Sequence, residues 1–210
     1  NANGIVKGYV TNPDVEVENY ASGKLNVAGA VGNQGTIRVI KDLGLREPYN
    51  GEYKMVSGEI AEDLTYYFTV SEQTPSAVSL GVLTRADEVE EAGGFIVQMM
   101  PDASEETIST IERNLTGIQS ITQMLSQGLT PEDMMNIVLK DLEPSILDKI
   151  EVGFECDCSK DRVAEVFAAI GKKELKSIID EDRGAEVGCQ FCESKYSFSE
   201  DELKEIYDNM

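Results

Sequence analysis

The sequence predicts an α+β fold: a mostly antiparallel β-sheet core domain with a helix, a helical linker, and a small four-cysteine C-terminal module. Three observations carry that expectation. Short β-rich runs between turn residues fill residues 1–100, which hold 12 of the 18 glycines and no cysteine. From Pro101 the apolar period lengthens from two residues to about 3.6. All four cysteines then fall beyond residue 150.

Taken in order, strand-like runs occupy 4–10, 36–41, 52–58, 77–84 and 94–100, broken at Asn12-Pro13, Gly32-Asn33, Asn50-Gly51 and Thr74-Pro75. A helix is expected at about 59–70, because Ile60, Leu64, Tyr67 and Phe68 recur on one face. A long helix is expected over 102–127. Asp102 and Glu105 are its candidate cap, Ile108, Ile111, Leu115, Ile118, Ile121 and Leu125 its apolar stripe, and Gly128 its stop. The next helix starts with Thr130 as N-cap, Pro131 at the first helical position and Glu132 and Asp133 in the first turn, and ends before Pro144. Helical patterns follow at 160–170, 172–181 and 199–207, with a short Lys195-Tyr196-Ser197-Phe198 segment before the last. The expected division is a core domain at 1–100, a helical linker at 101–149 and a cysteine module at 150–210. A chain of this mass, folded as one body, would keep roughly 9,600 Å² of surface and bury about 70% of what it exposes when extended.

Composition narrows the function. With 39 acidic against 18 basic side chains the formal charge is -21, which repels nucleic acid and anionic membranes. No run reaches the roughly 18 apolar residues of a membrane span, and no export leader opens the chain, so a cytoplasmic location is expected. The first residue is Asn1 rather than Met, directly before a strand-like run, and an N-terminal portion is therefore expected to precede it. Histidine is absent, which removes Ser-His-Asp and Cys-His catalysis and every imidazole metal ligand. No catalytic constellation stands out, and a non-enzymatic role is expected.

The central motif is Cys156-x-Cys158 followed, thirty residues later, by Cys189-x-x-Cys192. Two close pairs joined by one loop supply the four ligands of a closed tetrahedral zinc site with little conformational loss. Lys160, Arg162 and Lys195 are candidates to offset the surplus negative charge of four thiolates. Competing readings are four unrelated buried cysteines, two structural disulfides, a zinc ribbon with no regulatory role, and a thiol-disulfide oxidoreductase using Cys189-x-x-Cys192. Removing the metal would leave each thiolate beside a partner able to form a disulfide, and oxidation that ejects zinc would unfold a module held by it.

Other signals are weaker. Gly29-x-x-Gly32-x-x-Gly35 lacks phosphate-loop spacing and reads as a turn between strands. Glu59, Glu62 and Asp63 read as a hydrated helix face. Arg38, Lys41 and Arg46 are too few for a nucleic-acid stripe. Five of seven methionines, Met99, Met100, Met124, Met134 and Met135, gather in or just before the linker, where they serve either as core fillers or as adaptable surface.

Several segments together resemble the 33-kDa heat-shock protein (33-kDa chaperonin) family of redox-regulated chaperones. They are 8–13 (Gly-Tyr-Val-Thr-Asn-Pro), 39–49 (Val-Ile-Lys-Asp-Leu-Gly-Leu-Arg-Glu-Pro-Tyr), 58–68 (Gly-Glu-Ile-Ala-Glu-Asp-Leu-Thr-Tyr-Tyr-Phe), 71–73, 75–78, Gly93-Gly94-Phe95 and the two cysteine pairs. The resemblance implies an ATP-independent holdase, inactive while reduced and zinc-bound, with Cys156, Cys158, Cys189 and Cys192 as zinc ligands and redox switch. It implies that oxidation forms a disulfide within each pair, releases zinc, unfolds the C-terminal module and loosens the linker. A homodimer then binds unfolded or partly folded client proteins. Client contact is assigned to the sheet face and to Ile108, Ile111, Leu115 and Ile118. Docking the 102–127 stripe would gain on the order of 10 kcal/mol gross, with a comparable ordering cost, so the linker is expected to be marginally held.

Overall fold

The computed structural model describes residues 1–85 and 88–210. Along the chain the elements run β1 (Ile5–Val6), α1 (Val27–Val31), β2 (Thr36–Lys41), β3 (Tyr49–Lys54), α2 (Ile60–Val70), β4 (Ser76–Arg85), β5 (Glu88–Gln98), α3 (Glu105–Leu115), α4 (Ile121–Ser126), α5 (Pro131–Val138), β6 (Gly153–Phe154), α6 (Lys160–Ile170), α7 (Lys172–Asp182), β7 (Gly184–Gly188), β8 (Lys195–Ser199) and α8 (Glu200–Asp208). Two compact units result, one from residues 14–146 and one from residues 1–13 with 147–210.

In the 14–146 unit, β2 and β3 pair antiparallel from Thr36↔Lys54 to Lys41↔Tyr49. β4 and β5 pair antiparallel from Ser76↔Gln98, with a register shift after Leu83. The apolar face of α2 rests on β4, which buries Tyr67 edge-on to Tyr53 and Phe68. α4 packs over β4 and β5 and buries Ile121 and Met124 with Met134 of α5, against Phe95, Ile118, Leu125 and Leu129. At Gly81 the helix comes so close that a Cβ would lie 2.7 Å from the Ile121 Cβ, so only glycine fits there.

Two acids of α2 and its entry depart from the expected hydrated face. Asp63 is buried and its carboxylate accepts backbone N–H bonds from Val56 at 2.5 Å, Ser57 at 3.1 Å and Gly58 at 2.9 Å. Glu59 accepts from the Tyr20 hydroxyl at 3.0 Å and the Ala28 amide at 3.2 Å, and pairs with Lys24 at 2.7 Å. The buried Asp63 carboxylate and the half-buried Glu59 carboxylate persist because such donors saturate them, and here they fix the loops before α2. Gly29 sits inside the short helix α1 rather than in a turn between strands.

The expected 102–127 helix is two helices. Gly117, at φ +77°, ends the run after α3, and Ser120 starts α4 with a capping box to Gln123. The cap of α3 is Ser104, accepting from Thr107 at 3.1 Å, not Asp102 with Glu105. Thr130 caps α5 as expected, with Pro131 in the first turn. The first strand is limited to Ile5–Val6, and the runs expected at 52–58 and 94–100 begin earlier, as β3 and β5.

In the other unit, α6, α7, α8 and the β7–β8 antiparallel pair enclose Phe167, Leu175, Ile179, Phe198 and Leu203. Ser159 caps α6, Gly171 at φ +96° separates α6 from α7, and Ser199 opens α8 with a capping box to Glu202. β1 pairs in parallel with β6, Ile5 opposite Gly153 and Val6 opposite Phe154.

Leu203 is fully buried, so Leu203→Ala should destabilise the cysteine-bearing unit by about 2–5 kcal/mol, read as a lowered urea midpoint. A second test concerns Glu72, whose Oε1 accepts from Lys41 at 2.5 Å and from the buried Tyr67 hydroxyl, tying β2 to α2. Lys41 first, then Tyr67, hold the Glu72 carboxyl below its usual value. Its stabilisation is therefore present above the unfolded carboxyl value of about 4.3 and is lost as pH falls through the lower folded value. Glu72→Gln should flatten the loss of stability between about pH 5 and 3 in acid titrations of the urea midpoint.

Candidate metal centre

Two separate stretches of chain build the site. Cys156 and Cys158 lie in the extended run between β6 and the Ser159 cap of α6. Cys189 and Cys192 lie in the turn joining β7 to β8. That turn is held by the Cys189 amide donating to the Ser194 carbonyl at 2.9 Å and the Glu193 amide donating to the Cys189 carbonyl at 2.8 Å, with Glu193 left-handed at φ +60°. Pairing of β7 with β8 and capping of α6 thus aim both cysteine pairs at one point.

All four sulfurs lie within 4.8 Å of one another. Cys156 and Cys189 approach to 3.6 Å, and Cys158 and Cys192 to 3.3 Å. An ion with metal–sulfur distances of about 2.3 Å sets the edges of its sulfur tetrahedron at about 3.8 Å, so the cluster has the size and donor set to hold one metal ion. Three of the cysteines are half-buried and Cys192 is exposed.

The four thiols are not equivalent. The Ser194 hydroxyl, 3.2 Å away, and the Ser194 amide favour the Cys192 thiolate and hold it down to about 6. At Cys156 the Cys158 amide acts the same way, but burial and the surrounding sulfurs outweigh it and push the thiol up to about 12. The Tyr196 hydroxyl lies 3.0 Å from the Cys158 sulfur, and this contact raises the phenol to about 12.

Charge around the site comes from Arg162, an expected cation, and from Asp157 and Lys7, which the sequence does not flag. Asp157, between the first two cysteines, pairs with Lys7 and with Arg162, and these hold its carboxyl down to about 2. Lys7 also lies over the Phe191 ring at 5.1 Å, and Tyr9 meets that ring edge-on at 5.3 Å. Residues 4–9 therefore grip the C-x-x-C turn from a position remote in sequence, which no local spacing could reveal. Of the expected cations, Arg162 reaches the site through Asp157, whereas Lys160 pairs with Glu202 at 2.5 Å and Lys195 with Glu186 at 3.3 Å. Tyr196 carried a readable signal: it lies two residues from Phe198 on the same strand face.

The residues named for client contact lie elsewhere, on and just after α3. Ile111 is buried, while Ile108, Leu115 and Ile118 are half-buried, Ile118 against the core of Ile121, Met124 and Met134. Arg38 and Lys41, considered for a basic stripe, are paired with Glu52 and Glu72, each at 2.5 Å. No helix among the described residues is long and apolar enough to cross a membrane.

Comparison with known proteins adds a consistent result. The family described as Hsp33 protein matches residues 1–199. The 33 kDa chaperonin of Clostridioides difficile (strain 630) is 67% identical over 207 residues, spanning 99% of this chain and 71% of that protein. The 33 kDa chaperonin of Enterococcus faecalis is 51% identical over 209 residues, spanning 99% and 70%. The crystal structure of the 33 kDa chaperonin from Thermotoga maritima superposes with a TM-score of 0.85 at 40% identity, covering 99% of this chain and 71% of its own.

Lys7→Ala tests the grip on the turn. Loss of the Asp157 pair should speed amide exchange at Gly153 and Glu155, which donate to the Gly4 and Val6 carbonyls, while amides of α7 and α8 keep their protection. Uniform loss of protection across the whole unit would refute a local role for Lys7.

Proposed function

The chain belongs to the Hsp33 protein family and is a chaperone of that family, and from that membership we propose a redox-regulated, ATP-independent holdase whose switch is a zinc centre on Cys156, Cys158, Cys189 and Cys192. The observation that carries this reading is the convergence of four sulfurs, from two segments, within 4.8 Å. Thiolates are soft donors that favour zinc over hard cations, and a closed set of four suits a structural site. Bound there, zinc would supply cross-linking and charge neutralisation rather than Lewis-acid chemistry, since no open coordination position is left for substrate.

The chain's own residues supply the rest. The cysteine unit buries only five apolar side chains in its core, too few to hold it comfortably without a staple. Oxidation by peroxide would take two electrons from each pair of thiolates, giving one S–S bond, while two protons from solvent complete the two waters. Across the intact cluster, sulfurs of different pairs are as close as 3.3 Å, so contact alone does not select partners. Pairing within Cys156-x-Cys158 and within Cys189-x-x-Cys192 follows from tethering once the two stretches part. With the staple gone, the unit unfolds.

In this reading 1–100, apart from the 1–13 stretch that packs with the cysteine unit, acts as the core domain, 101–149 as the responsive linker and 150–210 as the switch. Loosening of the linker would free Ile108, Ile111, Leu115 and Ile118 for unfolding clients. Support comes from the shortness of its helices: α3, α4 and α5 are 11, 6 and 8 residues long, below the length at which a helix holds without tertiary packing. Further support is a cleft of about 190 Å³ between β5 and α5, lined in part by Phe95, Met134 and Met135. A homodimer on oxidation and a cytoplasmic site of action complete the proposal.

Metal and thiol counting tests it. Reduced protein should hold one zinc with four thiols masked from a thiol reagent, and peroxide with mild heat should leave neither zinc nor free thiols. Suppression of aggregation of a heat-denatured client should then appear without ATP, together with faster hydrogen exchange over 102–142. Zinc retained through oxidation, or turnover in insulin reduction, would instead favour a plain zinc ribbon or a thiol-disulfide oxidoreductase.

A further inference from the structure

β8 alternates between faces, which places Tyr196 on the same side as the buried Phe198 and one step nearer the cysteine turn. Its ring packs against the core cluster of Phe167, Leu175, Ile179, Phe198 and Leu203. Its hydroxyl reaches the other way, to 3.0 Å from the Cys158 sulfur, which comes from the stretch before α6. Tyr196 thus touches the apolar core with its body and a sulfur of the cluster with its tip, across a sequence separation of 38 residues. The Ser194 hydroxyl at Cys192 is different in kind, because both belong to one turn.

We infer that Tyr196 is a positioning residue for the metal centre, its hydroxyl donating a hydrogen bond to the Cys158 thiolate and fixing that sulfur against the core. The inference rests on the reading of the four cysteines as a zinc site. A metal-bound thiolate has no proton to give, so in the loaded state the phenol must be the donor. Charge-assisted bonds of this type are the strong ones, and donors behind a metal ligand orient it and tune its electron density. The contact also gives metal loss a route into the fold. A thiol or disulfide sulfur is a poorer acceptor than a thiolate, so loss of the metal weakens the bond that pins β8 to the start of α6.

Tyr196→Phe keeps the ring and removes only the donor. The 210-residue chain carrying it should bind Zn²⁺ about 10–100-fold more weakly in competition with a chromophoric chelator. Loaded with Co²⁺, its sulfur-to-metal charge-transfer band should move to longer wavelength, because an undonated thiolate is more electron-rich. Tyr207→Phe removes a hydroxyl from a ring packed on the same cluster and should leave both readings at wild type. Unchanged affinity and spectrum in Tyr196→Phe would overturn the inference. Weaker binding with an unshifted band would do so as well, since a packing defect alone leaves the band in place, and so would an equal effect of Tyr207→Phe. A wild-type chain that takes up neither Zn²⁺ nor Co²⁺ overturns the zinc reading itself, and the role of Tyr196 with it.

Discussion

Four thiol sulfurs gathered from two stretches of chain within 4.8 Å of one another are the constraint around which the C-terminal unit is arranged. Each stretch is short and irregular where the cysteines sit, and neither contributes a side chain to the buried core of Phe167, Leu175, Ile179, Phe198 and Leu203. Ser159 and Ser199 cap the helices beside the cluster, and β7 and β8 frame it, yet these local devices contribute only about a kcal/mol each. In the proposed reading a metal cross-link between the stretches would outweigh them all, and such a cross-link can be removed by chemistry that leaves the peptide chain intact.

The surroundings of the cluster make its removal consequential. Asp157 gathers Lys7 and Arg162 around the first pair, and Phe191 of the second pair receives Tyr9 and Lys7. Both cysteine pairs therefore carry, in the residues between their sulfurs, the contacts that hold residues 4–9. Exposed ion pairs of this kind are individually weak. They hold while the backbone around the sulfurs is fixed and have little to resist a change in it.

Much of this was legible in the sequence because it is local. The spacing of four cysteines, the 3.6-residue periods of α6, α7 and α8, and the Thr130-Pro131 start of α5 are each written within a few residues. What escaped was non-local or finely balanced. The stripe from Ile108 to Leu125 keeps a helical period through Gly117, and the left-handed turn there with the Ser120 capping box divides it into two helices. Asp63 looked like one more acid on a charged helix, since no pattern announces three loop amides waiting for a carboxylate. Lys7 and Gly153 belong to one unit through pairing over most of the chain, and periodicity says nothing about such partners.

The two-residue ladder between β1 and β6 has a further consequence for how the molecule is made. Ile5 leaves the ribosome long before Gly153 exists, so β1 must wait as an unpaired edge while the intervening chain folds. A long apolar edge left open in that interval would recruit strands from neighbouring nascent chains. At two residues, β1 offers too little backbone to template such an assembly.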